Sequence, residues 1–310
     1  MRAVRFAISI PQLYADGEFD PVAFRNYCSA VEQLGYDSAW AHESLLSASA
    51  QLSPIEMMAY AAAFTQRLRL GCAVFVSTLH GPVHLARSIA TLDQISGGRI
   101  DVGIGTGGKQ RPFAAFGLTS DRYVARFVEG LAVMKALWTQ PRVTFDGEFW
   151  QLRDVAMEPK PLSKPHPPVW IGATGEGALR RAARLGDGFF GSGGSPTDRF
   201  ADQVRIVRTA LADAGRDTAE FPIAKRLYIG VDDNAGRARD RMNAAIARMY
   251  GRPVPEIEAA AVAGTPADCA AEISKTAAAG AELILFTTLF EPAEQAARLA
   301  ADVIPLVSQR

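Results

Sequence analysis

The sequence is poor in the residues that build metal sites and disulfide frameworks, with three cysteines and four histidines in 310 residues. Cys28, Cys72 and Cys269 are odd in number and widely spaced, which argues against a CxxC metal site or paired disulfides and is typical of a reducing compartment. The N-terminal run up to Pro11 contains arginines and lacks the apolar core and small-residue cleavage site of a signal peptide. We therefore expect a cytoplasmic protein.

An excess of either charge is also missing. Lysine plus arginine is 33 and aspartate plus glutamate is 33, so there is no global basic field for nucleic acid or an anionic membrane. No apolar run approaches the ~20 residues of a membrane-spanning helix. Hydrophobic residues make up 48% of the chain, which excludes a disordered protein. The neutral, alanine-rich composition leads us to expect a homodimer.

Apolar runs typical of strands alternate along the chain with amphipathic helical patterns. Helix starts are marked by Asp20-Pro21 and by Ser53-Pro54-Ile55-Glu56, a capping box with proline at the first helical position. Eight strands, each followed by a helix, favour an α/β fold of the closed (β/α)8 TIM-barrel type, with an open doubly wound sheet as the competing architecture. The predicted strands span residues 4–10, 36–41, 68–76, 99–105, 169–171, 188–190, 223–231 and 282–286.

This alternation is interrupted once. After a long predicted helix over 121–139, Asp146-Gly147 lies between alternating residues and predicts a hairpin over 143–152. A proline-rich passage follows, and the alternation resumes at residue 169. We interpret residues 141–168 as an insertion within a single domain of residues 1–310. In a barrel of this type, function resides in the loops that follow the strands.

A glycine-rich stretch, GIGTGG at 103–108, satisfies the GxGxxG pattern of dinucleotide-binding folds. It follows the fourth strand rather than the first, and Pro112 prevents a helix from starting directly after it. Extended to Lys109 it also matches GxxxxGK, but Gln110 stands where a P-loop needs a hydroxyl. The favoured interpretation is a barrel loop that lets a ligand approach the backbone closely.

Two further glycine-containing loops follow strands and open helices. The first, TGEG at 174–177, offers free backbone N–H groups and a helix dipole to an anion such as a phosphate, although an ordinary helix cap is the alternative. The second, SGGS at 192–195, is a weaker candidate for the same role. Both loops lie at the predicted mouth of the barrel.

The few histidines give one candidate for proton transfer. His42-Glu43-Ser44 ends the second strand and places an imidazole, a carboxylate and a hydroxyl at the barrel mouth. His80 and His84 have a spacing that metal ligands use on a helix, but Gly81-Pro82 places His80 before the helix, and no nearby ligand completes a set. No metal is expected.

Several longer motifs are spread over nearly the whole chain, namely LDQISGGR (92–99), VGIGTG (102–107), EPKP (158–161), PPVWIG (167–172), RRAARLGDG (180–188) and GTP (264–266). These motifs are similar to those of the bacterial luciferase-like superfamily. Within that superfamily the sequence resembles the oxidoreductases that depend on coenzyme F420, a deazaflavin. The resemblance implies a (β/α)8 barrel with an inserted segment, a homodimer, and bound F420 or, as the alternative, FMN.

The resemblance also implies where the coenzyme lies. Members have a non-prolyl cis peptide at the end of the third strand, and the matching bond joins Ala73 to Val74, with Val76 expected to touch the ring. The family's phosphate-binding positions match residues of the 174–177 loop. The residues expected to bind the cofactor are Glu43, Ala73, Val74, Val76, Thr106, Thr174, Gly175, Glu176, Gly177 and Ser192.

The chain departs from the family pattern after the second strand and in the glycine loops. Glu43 occupies the acidic position, but Ser44 stands where many members have a histidine, so Ser44 or His42 is left to take that role. The sugar-phosphate dehydrogenases have a glutamate where this chain has Gly108 and a lysine where it has Ser195, and we therefore do not expect glucose 6-phosphate as the substrate. The expected catalytic residues are Glu43, Ser44 and His42.

Three functions fit these motifs. The leading one is an oxidoreductase that moves a hydride between the deazaflavin and a small organic substrate. The alternatives are an FMN-dependent monooxygenase that uses reduced flavin and oxygen, and a coenzyme-binding protein without catalysis. Four phenylalanines either shape an apolar substrate pocket or belong to the core, namely Phe75, Phe113, Phe116 and Phe290.

Overall fold

The computed structural model describes residues 4–14, 18–46 and 49–308. Its strands are β1 (Arg5–Ser9), β2 (Ser38–Ala41), β3 (Arg69–Val76), β4 (Ile100–Gly105), β5 (Val143–Asp146), β6 (Gln151–Val155), β7 (Val169–Gly172), β8 (Gly188–Gly191), β9 (Ile223–Val231), β10 (Val262–Gly264) and β11 (Leu283–Thr287). Its helices are α1 (Pro21–Gln33), α2 (Pro54–Ala62), α3 (Pro82–Ser96), α4 (Tyr123–Thr139), α5 (Glu176–Leu185), α6 (Thr197–Asp213), α7 (Ala235–Tyr250), α8 (Pro255–Ala260), α9 (Pro266–Ala278), α10 (Pro292–Arg298) and α11 (Ile304–Ser308).

Eight of these strands close into a parallel barrel in the order β1, β2, β3, β4, β7, β8, β9, β11. The ring closes at β1, where Ala7 lies opposite Ser38 of β2 on one side and Leu285 of β11 on the other. Because each parallel connection needs a crossover, helices cover the outside of the barrel, and the strands are buried on both faces. The predicted (β/α)8 barrel is confirmed, and the open doubly wound sheet is excluded.

Aromatic side chains fill the interior of the barrel. The rings of Trp40 and Trp170 are perpendicular with centroids 6.0 Å apart, and Phe190 packs against both. Neighbouring strands make room for the indoles with glycine, because a Cβ on Gly71 or Gly188 would lie 2.5 or 2.6 Å from an indole carbon. The packed interior leaves the carboxyl ends of the strands as the place for a ligand site.

The inserted segment forms the predicted antiparallel hairpin, β5 and β6, but with a different turn. Asp146-Gly147 is not a two-residue connection, since the strands end at Asp146 and resume at Gln151. The Glu129 carboxylate of α4 accepts hydrogen bonds from the backbone N–H groups of the intervening residues 148, 149 and 150. This contact with a distant helix overrides the local turn preference of the dipeptide.

Three elements near the C-terminus differ from the expected pattern. Helix α8 and strand β10 lie in a segment for which no element is predicted, and β10 adds to the edge of β9 through Val262 opposite Ile229. The final helix, predicted to be continuous from Pro292, is interrupted by a π-helical turn at Leu299–Val303. None of the helices in the described part of the chain combines the length and the apolar character that crossing a membrane requires.

Candidate active site

A cavity of about 1060 Å³ opens where loops follow the ends of β2, β3, β4, β7, β8 and β9. Topology places these loops together, because the carboxyl ends of parallel barrel strands share one rim. The twelve site residues predicted from the sequence all line this cavity, and their individual roles stay predictions. They are His42, Glu43, Ser44, Ala73, Val74, Val76, Thr106, Thr174, Gly175, Glu176, Gly177 and Ser192.

The peptide bond between Ala73 and Val74 is cis, as the family resemblance implies. The register between β3 and β4 shifts at this point, between Cys72 and Phe75, so that β3 bulges. Glycines of the neighbouring strands accommodate the bulge: a Cβ on Gly103 would lie 2.0 Å from the Cys72 carbonyl oxygen, and one on Gly105 would lie 2.9 Å from a Val74 methyl. The first two glycines of the GxGxxG match therefore pack against β3, and the loop that follows them leads into a short 3-10 helix at Phe113–Phe116 rather than into an α-helix.

Glu43 is a buried carboxylate that connects the end of β2 to the end of β3. Its Oε2 accepts a 2.7 Å hydrogen bond from the backbone N–H of Val76. Its Oε1 lies 2.9 Å from Nε2 of His80, whose ring packs edge-on against Phe75. The sequence interpretation missed this partner, since it considered His80 only as a metal ligand beside His84. A histidine in contact with the family's acidic position is thus present, but it comes from the loop after β3.

His42 places a neutral imidazole against the cavity. Both sides of its backbone are held by Gln12, whose side chain accepts from the His42 N–H at 2.7 Å and donates to its carbonyl at 3.0 Å. Burial, together with the nearby Arg226 guanidinium, lowers the pKa of the imidazole to about 3. The buried Nε2 atom has no hydrogen-bond partner, so this nitrogen is free to contact a ligand.

Helix α5 directs its N-terminus at the cavity. Gly175 is the N-cap residue and no side chain caps the helix, so the first backbone N–H groups remain available. The Glu176 carboxylate is turned outward, where it pairs with Arg180 at 3.0 Å. Residue 176 therefore offers its backbone amide rather than its carboxylate to the cavity. The helix dipole and these amides favour an anion at this position.

The buried side chain of Lys225 holds the 192–195 loop in position through hydrogen bonds. Lys225 Nζ donates to the carbonyl oxygens of Ser192 and Arg226, each at 2.7 Å, and burial lowers its pKa to about 7. Ser192 lines the cavity, whereas Ser195 is buried against Gln203 of α6 and is absent from the cavity wall. The Ser195 hydroxyl therefore does not face the cavity, and an anion site at the 192–195 loop stays a prediction.

Other cavity residues were not singled out from the sequence. Arg226 and Tyr228 come from β9, and Tyr250 ends α7. Their signal is a lysine and an arginine inside an otherwise apolar strand. The four phenylalanines left open between pocket and core prove to be packed in hydrophobic clusters outside the cavity wall, namely Phe75, Phe113, Phe116 and Phe290.

The described residues contain no group of three or more histidine, cysteine, aspartate or glutamate side chains arranged to hold a metal ion. The three cysteines are free and buried. Burial raises the pKa of the thiols of Cys28 and Cys269 to about 12. None of the three lines the cavity, so thiol chemistry plays no part in the site.

Comparison with known proteins gives a family and several relatives. A family model described as luciferase-like monooxygenase matches residues 5–283. An uncharacterized protein of Mycobacterium tuberculosis is 39% identical over 168 residues, which are 54% of this chain and 58% of that protein. The match thus spans less than two thirds of the mycobacterial protein.

Two relatives with stated activities use different coenzymes. The F420-dependent glucose-6-phosphate dehydrogenase of Kineococcus radiotolerans is 29% identical over 231 residues, covering 71% of this chain and 67% of that enzyme. The FMNH2-dependent dimethylsulfone monooxygenase of Pseudomonas putida is 29% identical over 225 residues, covering 72% and 57%. Among solved structures, a monooxygenase from Streptomyces bottropensis superposes with a TM-score of 0.84 at 24% identity, over 97% of this chain and 99% of that one, which shows the shared fold.

Proposed function

The chain belongs to the luciferase-like monooxygenase family, and from that premise we propose that it is an oxidoreductase that uses coenzyme F420 to transfer a hydride to or from a small organic substrate. The observation that carries the proposal is the juxtaposition, in one cavity, of the β3 bulge between Cys72 and Phe75 with the uncapped N-terminus of α5. A flat ring and a phosphate are the two parts of a deazaflavin that these features fit.

The cavity suits such a coenzyme in shape and in polarity. Gly105 and Gly172 lie on either side of the Val74 side chain and leave space beside it. A Cβ on Gly105 would lie 2.9 Å from a Val74 methyl group, and one on Gly172 would lie 3.1 Å away. The backbone amides of residues 176 and 177 would hold the phosphate. Ala73, Val74 and Val76 would support the ring, and Thr106 and Ser192 would line its edges.

When bound, F420 supplies a carbon, C5, that gives or accepts a hydride. The protein's own residues orient the reactants and keep water out. Glu43 holds the Val76 amide and thereby the end of β3 in place. Neutral His42, with its unpartnered Nε2, is able to hold a proton at a substrate oxygen. Lys225 donates a hydrogen bond to the Ser192 carbonyl oxygen and so holds the 192–195 loop in position at the cavity.

Titration of the purified protein with F420 and, separately, with FMN tests the coenzyme assignment by quenching of coenzyme fluorescence. We expect micromolar or tighter binding of F420, and weaker binding of FMN. Micromolar affinity for FMN with no binding of F420 would overturn the assignment. Tight F420 binding without turnover on any alcohol, aldehyde or ketone supplied would support the coenzyme-binding protein without catalysis.

A second function, an FMN-dependent monooxygenase, is favoured by the similarity to the Pseudomonas enzyme. Oxygen consumption with reduced FMN, measured with an oxygen electrode with and without candidate substrates, distinguishes the two, because reduced deazaflavins react poorly with oxygen. Substrate-dependent oxygen uptake would support the monooxygenase. The homodimer also stays a proposal, which sedimentation of the purified protein tests.

A further inference from the structure

The wall of the cavity has two chemically different halves. Beside β3, β4 and β7 it contains six glycines together with Arg111, Tyr123 and Arg181, and most of the proposed coenzyme contacts lie there. Beside β2, β9 and the end of α7 it is formed by side chains that carry hydrogen-bond donors and apolar groups. This second half, the donor half, is lined by His42, Glu43, Ser44, Leu46, Gln51, Arg226, Tyr228, Met249, Tyr250 and Ile257.

Arg226 carries a charge without a counter-ion in the donor half. Its Nε donates to Thr287 Oγ1 at 3.0 Å, and its closest other acceptor is the Ala73 carbonyl oxygen at 3.5 Å. It forms no ion pair with any residue that the structure describes. Of the two acidic residues that line the cavity, Glu43 contacts His80, and Glu176 turns its carboxylate outward to Arg180.

The guanidinium is held in position before any ligand arrives. It stacks on the ring of Tyr228 with its carbon 5.0 Å from the ring centroid, and Thr287 fixes its Nε. Tyr228 is itself buried, and its hydroxyl lies 2.9 Å from that of Tyr250. An arginine fixed at one edge presents its remaining N–H groups as a planar fork, which matches the two oxygens of a carboxylate.

The neighbours of Arg226 add hydrogen-bonding groups without adding charge. His42 has a free ring nitrogen, which donates or accepts according to the tautomer, and it stays uncharged because burial and the nearby Arg226 lower its pKa. The Tyr228–Tyr250 pair keeps one hydroxyl proton to donate, since one of its two hydroxyls donates to the other. Met249 and Ile257 complete the wall with apolar surface. A ligand that satisfies this half has oxygen acceptors, negative charge and an apolar remainder.

We infer that the donor half, centred on Arg226, binds the carboxylate of a small organic acid with an apolar remainder, and that the substrate of this enzyme belongs to this class. The substrate assignment rests on the proposed function, whereas the carboxylate site itself does not. Arg226 acts here as a specificity residue. It holds the substrate's carboxylate, and His42 lies beside the part of the substrate that faces the coenzyme half.

The test is binding of a panel of carboxylates without coenzyme, from propionate and hexanoate to benzoate and phenylacetate, each paired with its neutral amide. Isothermal titration and ligand-observed NMR give the affinities. We expect at least one carboxylate to bind in the millimolar range or tighter, and at least tenfold better than its amide. If no carboxylate binds, or if amides bind equally well, the proposal is overturned.

Variants locate the site. Arg226→Met is expected to weaken carboxylate binding by about 10- to 100-fold, and Arg226→Lys by less, since lysine keeps the charge but loses the fork. Arg181→Met is the matched control, because Arg181 lines the coenzyme half of the same cavity, and it should change the affinity less than threefold. Circular dichroism and thermal unfolding establish that each variant is folded. An equal loss in both variants would mean that the anion binds elsewhere.

F420 titration of the same variants separates this proposal from the coenzyme assignment. Arg226→Met should keep F420 affinity within about threefold while carboxylate binding is lost. If F420 fails to bind the wild-type protein but carboxylate binding depends on Arg226, only the coenzyme assignment fails. If Arg226→Met loses F420 and carboxylates alike, Arg226 belongs to the coenzyme site and the inference is wrong.

Discussion

The Glu43 carboxylate and the backbone N–H of Val76 are joined by a 2.7 Å hydrogen bond that ties the ends of neighbouring strands β2 and β3 together. The other carboxylate oxygen, Oε1, lies 2.9 Å from Nε2 of His80. Glu43, which the family resemblance places among the candidate catalytic residues, therefore also has a structural role. It fixes the backbone that forms one wall of the cavity.

Replacement of Glu43 separates these two tasks. Glu43→Ala leaves a buried N–H without an acceptor and should lower the free energy of unfolding by about 1–3 kcal/mol as well as weaken F420 binding. Glu43→Gln keeps an amide oxygen for Val76 and should retain most of the stability. Urea denaturation and F420 titration measure the two effects. Equal stability of the alanine variant and the wild type would contradict the role given to the hydrogen bond.

His42 predicts a pH dependence of stability. Its pKa is about 3 in the folded protein and 6.5 as the ordinary value, so between these values the unfolded chain binds more protons. The free energy of unfolding should consequently fall as pH is lowered from about 7 to 4, by about 1 kcal/mol per pH unit within the window. Urea denaturation at several pH values should show a shallower slope for His42→Gln, with His84→Gln, on the exposed face of α3, as the control.

Lys225 leads us to expect a second pH dependence of stability, at neutral to alkaline pH. Burial lowers its pKa from 10.5 to about 7, so between these values the unfolded chain again binds more protons than the folded one. Stability should therefore rise as pH increases from about 7 towards 10. Lys225→Met, which cannot be protonated, should flatten this rise, whereas Lys275→Met, at an exposed site, should leave it unchanged. The same urea series at pH 7, 8 and 9 measures it, and parallel slopes for wild type and Lys225→Met would refute the assignment.

The N-terminus of α5 offers a change that spares the fold. An added Cβ at Gly177 meets nothing within 4 Å, and alanine favours a helix over glycine by about 1 kcal/mol. Gly177→Ala should thus keep or raise stability while weakening F420 binding by about tenfold, because the methyl group crowds the phosphate. Gly236→Ala, in the first turn of α7 and outside the cavity, is the control. Unchanged F420 affinity in Gly177→Ala would place the phosphate elsewhere.

The barrel itself could be predicted because its signals are local. Apolar runs bounded by glycine and proline mark the strands, and Ser53-Pro54 or Gly97 mark helix ends within a few residues of where they occur. The position of the cis bond came from a motif and not from local physics. The short strand β10 could not be predicted, because three residues carry no periodicity and only pairing with β9 defines them.

The site was predicted in outline but not in its contacts. Glu43 and His80 are 37 residues apart, and Arg226 reaches the carbonyl of a residue 153 positions earlier. Such pairs arise only when the barrel closes, and no spacing rule along the chain links them. The sequence located the loops that meet, whereas the partners within those loops required the structure.

The crossed indoles of Trp40 and Trp170 have a kinetic consequence. With Phe190 they pack inside the barrel, so we expect reactants to enter and products to leave from the rim side of the cavity. A large ligand that binds across the opening blocks the release of a smaller ligand bound more deeply. We therefore expect ligands to be released in the reverse of the order in which they bind. Inhibition patterns measured with product present would display that order.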